Sequence, residues 1–365
     1  MANELSFNSL LTAFAVPKKS DWVNVARDET GLDDPLEKLR QYVTTNLSVF
    51  PFYDHTDLET IKYSDRYSLP PVEDENLNAR YWENVPAVAV ANPPDANKMA
   101  LAHLAKGAHG IFFERVEDPD VILRNIDRSV CSTWFLVGRE ANATEVADLL
   151  HENINYNTYL LWEHTPAKPE NFLAQGGNSR GLGLAVPRGK NVVEEIATAL
   201  TRAVGLLDTL TDLGLSPATS GNQICFSLFV DNDFFLSVAK FKAMRRLWYQ
   251  VMQAYDVHDF PFDGYFLHAR CEPAASESYE PRGGLIANAF AAVAAVCGGC
   301  NALTVFPDVR DQDLAATVAR NISSILAHEA HLDKVSDPFS GAYYLETLVH
   351  HIAQEAWTAF TNGIS

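Results

Sequence analysis

Eight short apolar runs, alternating with stretches of helical periodicity, constrain what this 365-residue chain can fold into more than any other feature. The runs are Pro86–Ala91, Gly110–Glu114, Ser132–Val137, Thr158–Glu163, Gly181–Val186, Gln223–Val230, Gly264–Ala269 and Ala302–Phe306, all rich in β-branched or aromatic residues. Helical periods lie between them, at 95–106, 119–126, 143–152, 191–213, 232–255, 284–297 and 311–330, and Asp95 after Pro93-Pro94 is one of several start signals. A strand that is apolar along its whole length is buried on both faces, as in a parallel sheet covered by helices. The pattern therefore predicts an α/β chain closed into a (β/α)8 TIM barrel, with an open doubly wound sheet as the alternative. One interval, Glu163 to Arg180, carries prolines and Gly176-Gly177 and reads as a loop.

Residues 1–85 follow a different grammar. Helical fragments at 21–27 and 35–44 alternate with proline-rich extended pieces at 48–53 and 67–72, without βα order. Two regions are expected: an N-terminal extended and helical arm, 1–85, of the kind that wraps something else, and a barrel with a C-terminal helix, 86–365.

Charge narrows the partners. With 28 basic and 47 acidic residues the formal net charge is −19, which opposes phosphate backbones and anionic lipid and argues against nucleic-acid or membrane-surface binding. No run approaches 18 apolar residues and the N-terminus has no signal-peptide pattern, so the cytoplasm is the expected location. Cys131, Cys225, Cys271, Cys297 and Cys300 sit in apolar segments and read as buried thiols of a reducing compartment. Cys297-Gly298-Gly299-Cys300 has CxxC spacing, but no second pair completes a metal shell, and it reads as a helix end. No metal site and no nucleotide-binding glycine loop is expected.

Catalytic groups of a parallel barrel sit at the C-terminal ends of its strands. The polar residues expected there are Asn92, Glu114, Arg115, Arg139, Glu163, His164, Arg188, Asp231, His268, Arg270, Glu272 and Asp308. His268, Arg270 and Glu272 alternate along one strand and so share a face, where they could handle protons; a solvated strand end gives the same pattern.

Three segments carry a resemblance. VAKFKAMRRLW at 238–248, ARNISSILAHEAHLDKVSDP at 319–338 and DPFSGAYYLETLVHHIAQEAW at 337–357 resemble the adenosylcobalamin-dependent acyl-CoA mutases, methylmalonyl-CoA mutase in particular. The likeness extends from SDWVNVARDETG to AWTAF, strongest over the last 130 residues. It implies an arm that embraces a partner subunit, and it implies a flavodoxin-like cobalamin domain beyond the barrel of a catalytic chain. Eight residues follow Trp357, so that domain is not expected on this chain. In VAKFKAMRRLW, Val238, Phe241, Met244, Leu247 and Trp248 form one helical face, with Lys240, Lys242, Arg245 and Arg246 around the remainder as a solvated flank or as a contact for an acidic partner. In the last segment Ala342, Leu345, Leu348, Ile352 and Ala356 form the apolar side.

Where this chain departs from the family pattern, catalysis is what is lost. The family's histidine after the fifth strand falls here at Leu184 or a close neighbour, in GLGLAVPRGKNVVEEIATAL. LLWEHTPAKPENFLAQGGNS matches nothing of the segment leading to the family's substrate-binding arginine. In ARYWENVPAVAV, Arg80 and Trp82 persist but the tyrosine behind them does not, and Ala287 stands where the family has arginine. Asp256-Val257-His258 imitates the start of the cobalt-ligand motif, but Pro261 replaces its glycine. Phe112, Phe113, Trp134, Phe135, Tyr159, Trp162, Phe226, Phe229, Tyr265 and Phe266 crowd the strands, and alternation turns about half of them inward, as a solid core with no channel for an acyl-CoA. The resemblance is closest to the small, non-catalytic, barrel-only subunit of such a mutase. It implies a heterodimer with a large subunit that binds adenosylcobalamin and isomerises methylmalonyl-CoA and succinyl-CoA, with no catalytic residue and no cofactor here. A homodimer of the isolated chain, a stand-alone acyl-CoA-binding protein and a remodelled enzyme using His268, Arg270 and Glu272 stay open at this point.

Overall fold

The computed structural model describes residues 17–364, apart from 45–46, 60, 62–68, 75–76, 139, 152–154, 176–177, 260–261, 263, 273–282 and 308–311. The expected polar residues Arg139 and Asp308, and Gly176-Gly177, lie outside the described residues.

The main sheet is parallel and closes on itself. β3 (Glu83–Asn84) and β4 (Ala87–Val88) are two halves of one strand interrupted at Val85-Pro86, where proline has no N–H for the ladder. β4 pairs with β5 (Gly110–Phe113), and the order continues through β6 (Ser132–Val137), β7 (Asn157–Trp162), β8 (Arg180–Ala185), β9 (Phe226–Phe229), β10 (Leu267–Cys271) and β11 (Ala302–Val305), which returns to β3. Nine segments thus make eight strands of a closed barrel, as the alternating pattern predicted.

The strand-joining helices are α3 (Pro93–Leu104), α4 (Pro119–Ile122), α5 (Glu140–Ala147), α6 (Val192–Asp212) followed by the short α7 (Pro217–Asn222), α8 (Phe234–Ala254), α9 (Gly283–Cys297) and α10 (Gln312–His328). Their starts are locally encoded: Asn92, Asn191, Ser216 and Asp233 each accept a backbone N–H of the first turn. The interval after β7 holds a single 3-10 turn, Pro169–Phe172, whose Phe172 packs edge-on against Trp162 at 4.7 Å. α9 stops at Cys297 because Gly299 adopts φ +91°, and the N–H groups of Gly299 and Cys300 close back on Val296 and Ala295.

Before the barrel, α1 (Lys19–Thr30) and α2 (Pro35–Lys38) lead to a two-stranded antiparallel ribbon, β1 (Gln41–Tyr42) with β2 (Ser48–Val49). The helix expected over 35–44 is cut short by that ribbon. This region packs on the C-terminal helix α11 (Tyr343–Ile364) through Tyr53, whose ring meets Tyr344 at 5.4 Å. α11 buries Leu345, Leu348, Ile352 and Ala356 against α6 and α8.

Alternation sorts the strand residues cleanly. Ile111, Phe113, Phe135, Leu160, Trp162, Leu182, Leu184, Phe226, Leu228, Leu267 and Leu303 face the helices. Val85, Ala87, Phe112, Trp134, Tyr159, Leu161, Ala185, Cys225 and Ala302 fill the axis, with Leu136, Phe266 and Phe306 packed against them.

Candidate functional site

The barrel axis is the place where a substrate channel would run, and aromatic rings occupy it. Trp134 stacks on Tyr159 with centroids 3.8 Å apart and planes 6° apart. Phe266 lies 5.5 Å from Trp134 and 5.1 Å from Tyr159, and Phe112 meets Phe306 edge-on at 5.9 Å. Such contacts fill volume to the density of a core. Leu184 points outward, into the sheet–helix core, and its inward neighbour Gly183 has no room for a side chain, since a Cβ there would sit 2.5 Å from the Cys225 sulfur.

His268 lies inside this stack, fully buried, 4.9 Å from Trp134 and 5.5 Å from Phe112. Its hydrogen bonds fix its tautomer. The Thr304 hydroxyl donates to the Val85 carbonyl at 2.6 Å, so it accepts from Nε2 of His268 at 2.8 Å, which leaves Nδ1 to accept from the Ser227 hydroxyl at 2.8 Å. Burial first, and the nearby Arg270 charge second, push the imidazole pKa well below its usual value. The ring is neutral and both nitrogens are engaged.

Arg270 and Glu272 belong to a different layer, at the C-terminal mouth. Arg270 donates to the carbonyls of Val186 and Ser227 and lies over the Phe229 ring at 3.8 Å, and burial pulls its guanidinium down to about 10. Glu272 is exposed and sits 3.8 Å from Arg188, which also binds Asp231 at 3.1 Å. Burial, and then the Glu272 charge, raise the Glu114 carboxyl. Asn92 is spent capping α3, while Arg115 and His164 are exposed. The alternating strand therefore delivers one buried, saturated imidazole and, further out, an ion-pair network.

That network contains residues the sequence reading misplaced. Lys240 is fully buried and binds Glu195 on α6 at 2.7 Å, and also Asp231. Glu195, Lys240, Asp231, Arg188 and Glu272 form a continuous chain of alternating charge across the mouth. The expected solvated basic flank is thus corrected. Arg245 is buried as well, donating to the carbonyls of Tyr265 and Gly299 and to Asn301, and Lys242 binds Asp337 at 2.9 Å and Glu346 at 3.6 Å. Four-residue spacing carries the missed signal: Lys240, Met244 and Trp248 form one helical stripe, as do Glu195, Ala199 and Ala203. Arg80 and Trp82 are likewise bound into the barrel floor, Arg80 to the Cys300 carbonyl and Trp82 to the Ser323 hydroxyl at 2.9 Å.

The motif that imitates a cobalt ligand lies in a surface turn. His258 follows the left-handed turn at Asp256 with its side chain 66% exposed, and its Nδ1 is held by Gln253 at 2.7 Å. Among the described residues no group of His, Cys, Asp or Glu could hold a metal ion, and no helix is long and apolar enough to cross a membrane.

Comparison with known proteins adds what geometry alone does not. A family model described as methylmalonyl-CoA mutase matches residues 186–363. A methylmalonyl-CoA mutase small subunit from Porphyromonas gingivalis is 26% identical over 96% of this chain and 63% of its own length. One from Streptomyces virginiae is 33% identical over 47% of this chain and 28% of its own length. The chain thus spans less than two thirds of these relatives. Among solved structures, dihydropteroate synthase from Yersinia pestis aligns at 13% identity over 69% of this chain and 94% of its own, with a TM-score of 0.41.

Proposed function

We propose that this chain, similar to methylmalonyl-CoA mutase over residues 186–363 and to a mutase small subunit over 96% of its length, is the small, non-catalytic subunit of an adenosylcobalamin-dependent methylmalonyl-CoA mutase. Isomerisation of methylmalonyl-CoA and succinyl-CoA belongs, in this reading, to a large subunit that binds the cofactor in the cytoplasm. The chain contributes a rigid barrel and the arm of residues 1–85, which embraces and stabilises that partner.

The observation that carries the reading is the filled axis, where Trp134, Tyr159, Phe266 and His268 occupy the space an acyl-CoA would need. The segments most like the family support it too. Lys242 to Asp337 and Glu346, and Arg245 to the carbonyls of Tyr265 and Gly299, are scaffold contacts. An obligate pair of such chains typically buries more than about 2,000 Å².

The test is to purify the chain with and without the large subunit of the same organism, and to measure assembly by light scattering beside cobalamin-dependent turnover. A one-to-one complex that turns over only through its partner is expected. Turnover, or saturable acyl-CoA binding, by this chain alone would sink the proposal.

A further inference from the structure

α9 differs from the other barrel helices in what it shows to solvent. α6 exposes Glu194, Asp208 and Asp212, the polar outer face that a barrel helix ordinarily carries. α9 has no charged residue from Gly283 to Cys297, and two of its largest side chains, Ile286 and Phe290, are 61% and 63% exposed. Beside them a groove of about 340 Å³ runs between the N-terminal ends of α8 and α9, bounded by Phe234, Ile286, Phe290, Ala291 and, at one end, Asp231. Large apolar side chains gathered on one groove, unlike single exposed ones, mark an interaction site.

Resting on the subunit reading above, we propose that this groove and the outer face of α9 dock the large subunit, through an apolar segment flanked by Lys or Arg. Two observations choose that occupant. The first is charge. The mouth beside the groove carries six carboxylates, Glu114, Glu163, Glu195, Asp231, Asp233 and Glu272, against four cations, Arg115, Arg188, Lys240 and Arg270. A second copy of this chain would bring a second acidic mouth and a second net charge of −19 to the contact, and like charges across an interface select against that pairing. The second is continuity. From Phe234 a path of ring contacts runs through Phe235, itself 44% exposed, to Tyr344 and on to Tyr53 in the segment ahead of the barrel, each step 5.3–5.4 Å. These ring contacts join the groove to the arm, so a partner embraced by the arm reaches α9 along them.

The test compares the wild type with I286K/F290K in titrations against the large subunit. Lysine keeps helix propensity at exposed positions, and circular dichroism with thermal melting verifies the fold. The expected result is a loss of affinity of about tenfold or more, with a control at the remote exposed Val130 (V130K) unchanged. An Asp233→Asn variant, which keeps the helix cap, should associate more slowly and with weaker salt dependence. Unchanged affinity of I286K/F290K overturns the proposal. So does a melting temperature that drops with affinity intact, because this chain would then supply its own cover, and so does a wild-type self-dimer that the double variant dissolves. Failure of the wild type itself to bind the large subunit is a separate result, which overturns the subunit reading.

Discussion

Trp134 and Tyr159 stack face to face inside the barrel, 3.8 Å apart, one from β6 and one from the directly paired position of the neighbouring strand β7. Paired strands in register put these side chains on the same inward level. A Trp134→Ala substitution removes the larger ring from a fully buried site, and truncations of that kind cost about 3–5 kcal/mol. Denaturant unfolding of the variant should show that loss at an unchanged slope. A loss under about 1 kcal/mol would mean the axis is not packed and would reopen the channel reading.

Lys240 and Glu195 are the clearest stability test at the mouth. Both side chains are closed to water and 2.7 Å apart. Replacing Lys240 by Met leaves Glu195 buried without its cation, which costs about 3–5 kcal/mol. Adding Glu195→Leu should recover part of that cost, because the uncompensated charge goes with it. A double-mutant cycle in chemical denaturation measures the coupling, and additive losses would show that the pair does not act as one.

Glu83 supplies a pH signature. Its carboxyl sits at the barrel floor, accepts the Ser132 hydroxyl, and burial raises its pKa to about 7. The folded state therefore holds a proton that the unfolded chain gives up near pH 4.5. The sign follows: the contribution of Glu83 to stability falls as pH rises between about 4.5 and 7 and is level above that window, opposite in sign to that of the buried histidines. Glu83→Gln should remove this one contribution, so that variant and wild type differ most at high pH, and gain about 1–3 kcal/mol at pH 8. Melting curves at pH 5 and pH 8 for both proteins decide it, and parallel behaviour of the two would reject the assignment.

Short, mostly apolar runs alternating with stretches of about 3.6-residue period made the barrel legible, although β10 carries His268 and Arg270 and the connection after β7 holds only a 3-10 turn. The sequence alone did not show which aromatics face inward. Register fixes that, and a one-residue slip reverses every side chain. β10 illustrates the difficulty: its expected start at Gly264 lies three residues before the observed Leu267. The buried charges were harder still. Lys240 and Arg245 look like a solvated flank until their partners, supplied by α6 and by the β10 and β11 ends, are brought together by tertiary folding.

His268 decides between scaffold and chemistry. Its ring is neutral, bonded at both nitrogens and enclosed by Phe112 and Trp134. In the unfolded chain the same ring takes up a proton below about pH 6.5, while the folded ring, with its pKa pushed well down, does not. The unfolded state then binds more protons, so His268 makes stability fall as pH drops through that window. Its replacement by Leu should remove the share of this slope that His268 supplies, leaving that of His103, His109, His350 and His351, and cost about 2–4 kcal/mol at pH 7.5, because Ser227 and Thr304 lose a buried partner. In the proposed complex with a large subunit, below its melting temperature, the variant should turn over as the wild type does, since a packing residue acts only through the fold. A large fall in kcat in a fully assembled, folded complex would instead place His268 in the chemistry and return Arg270 and Glu272 to consideration.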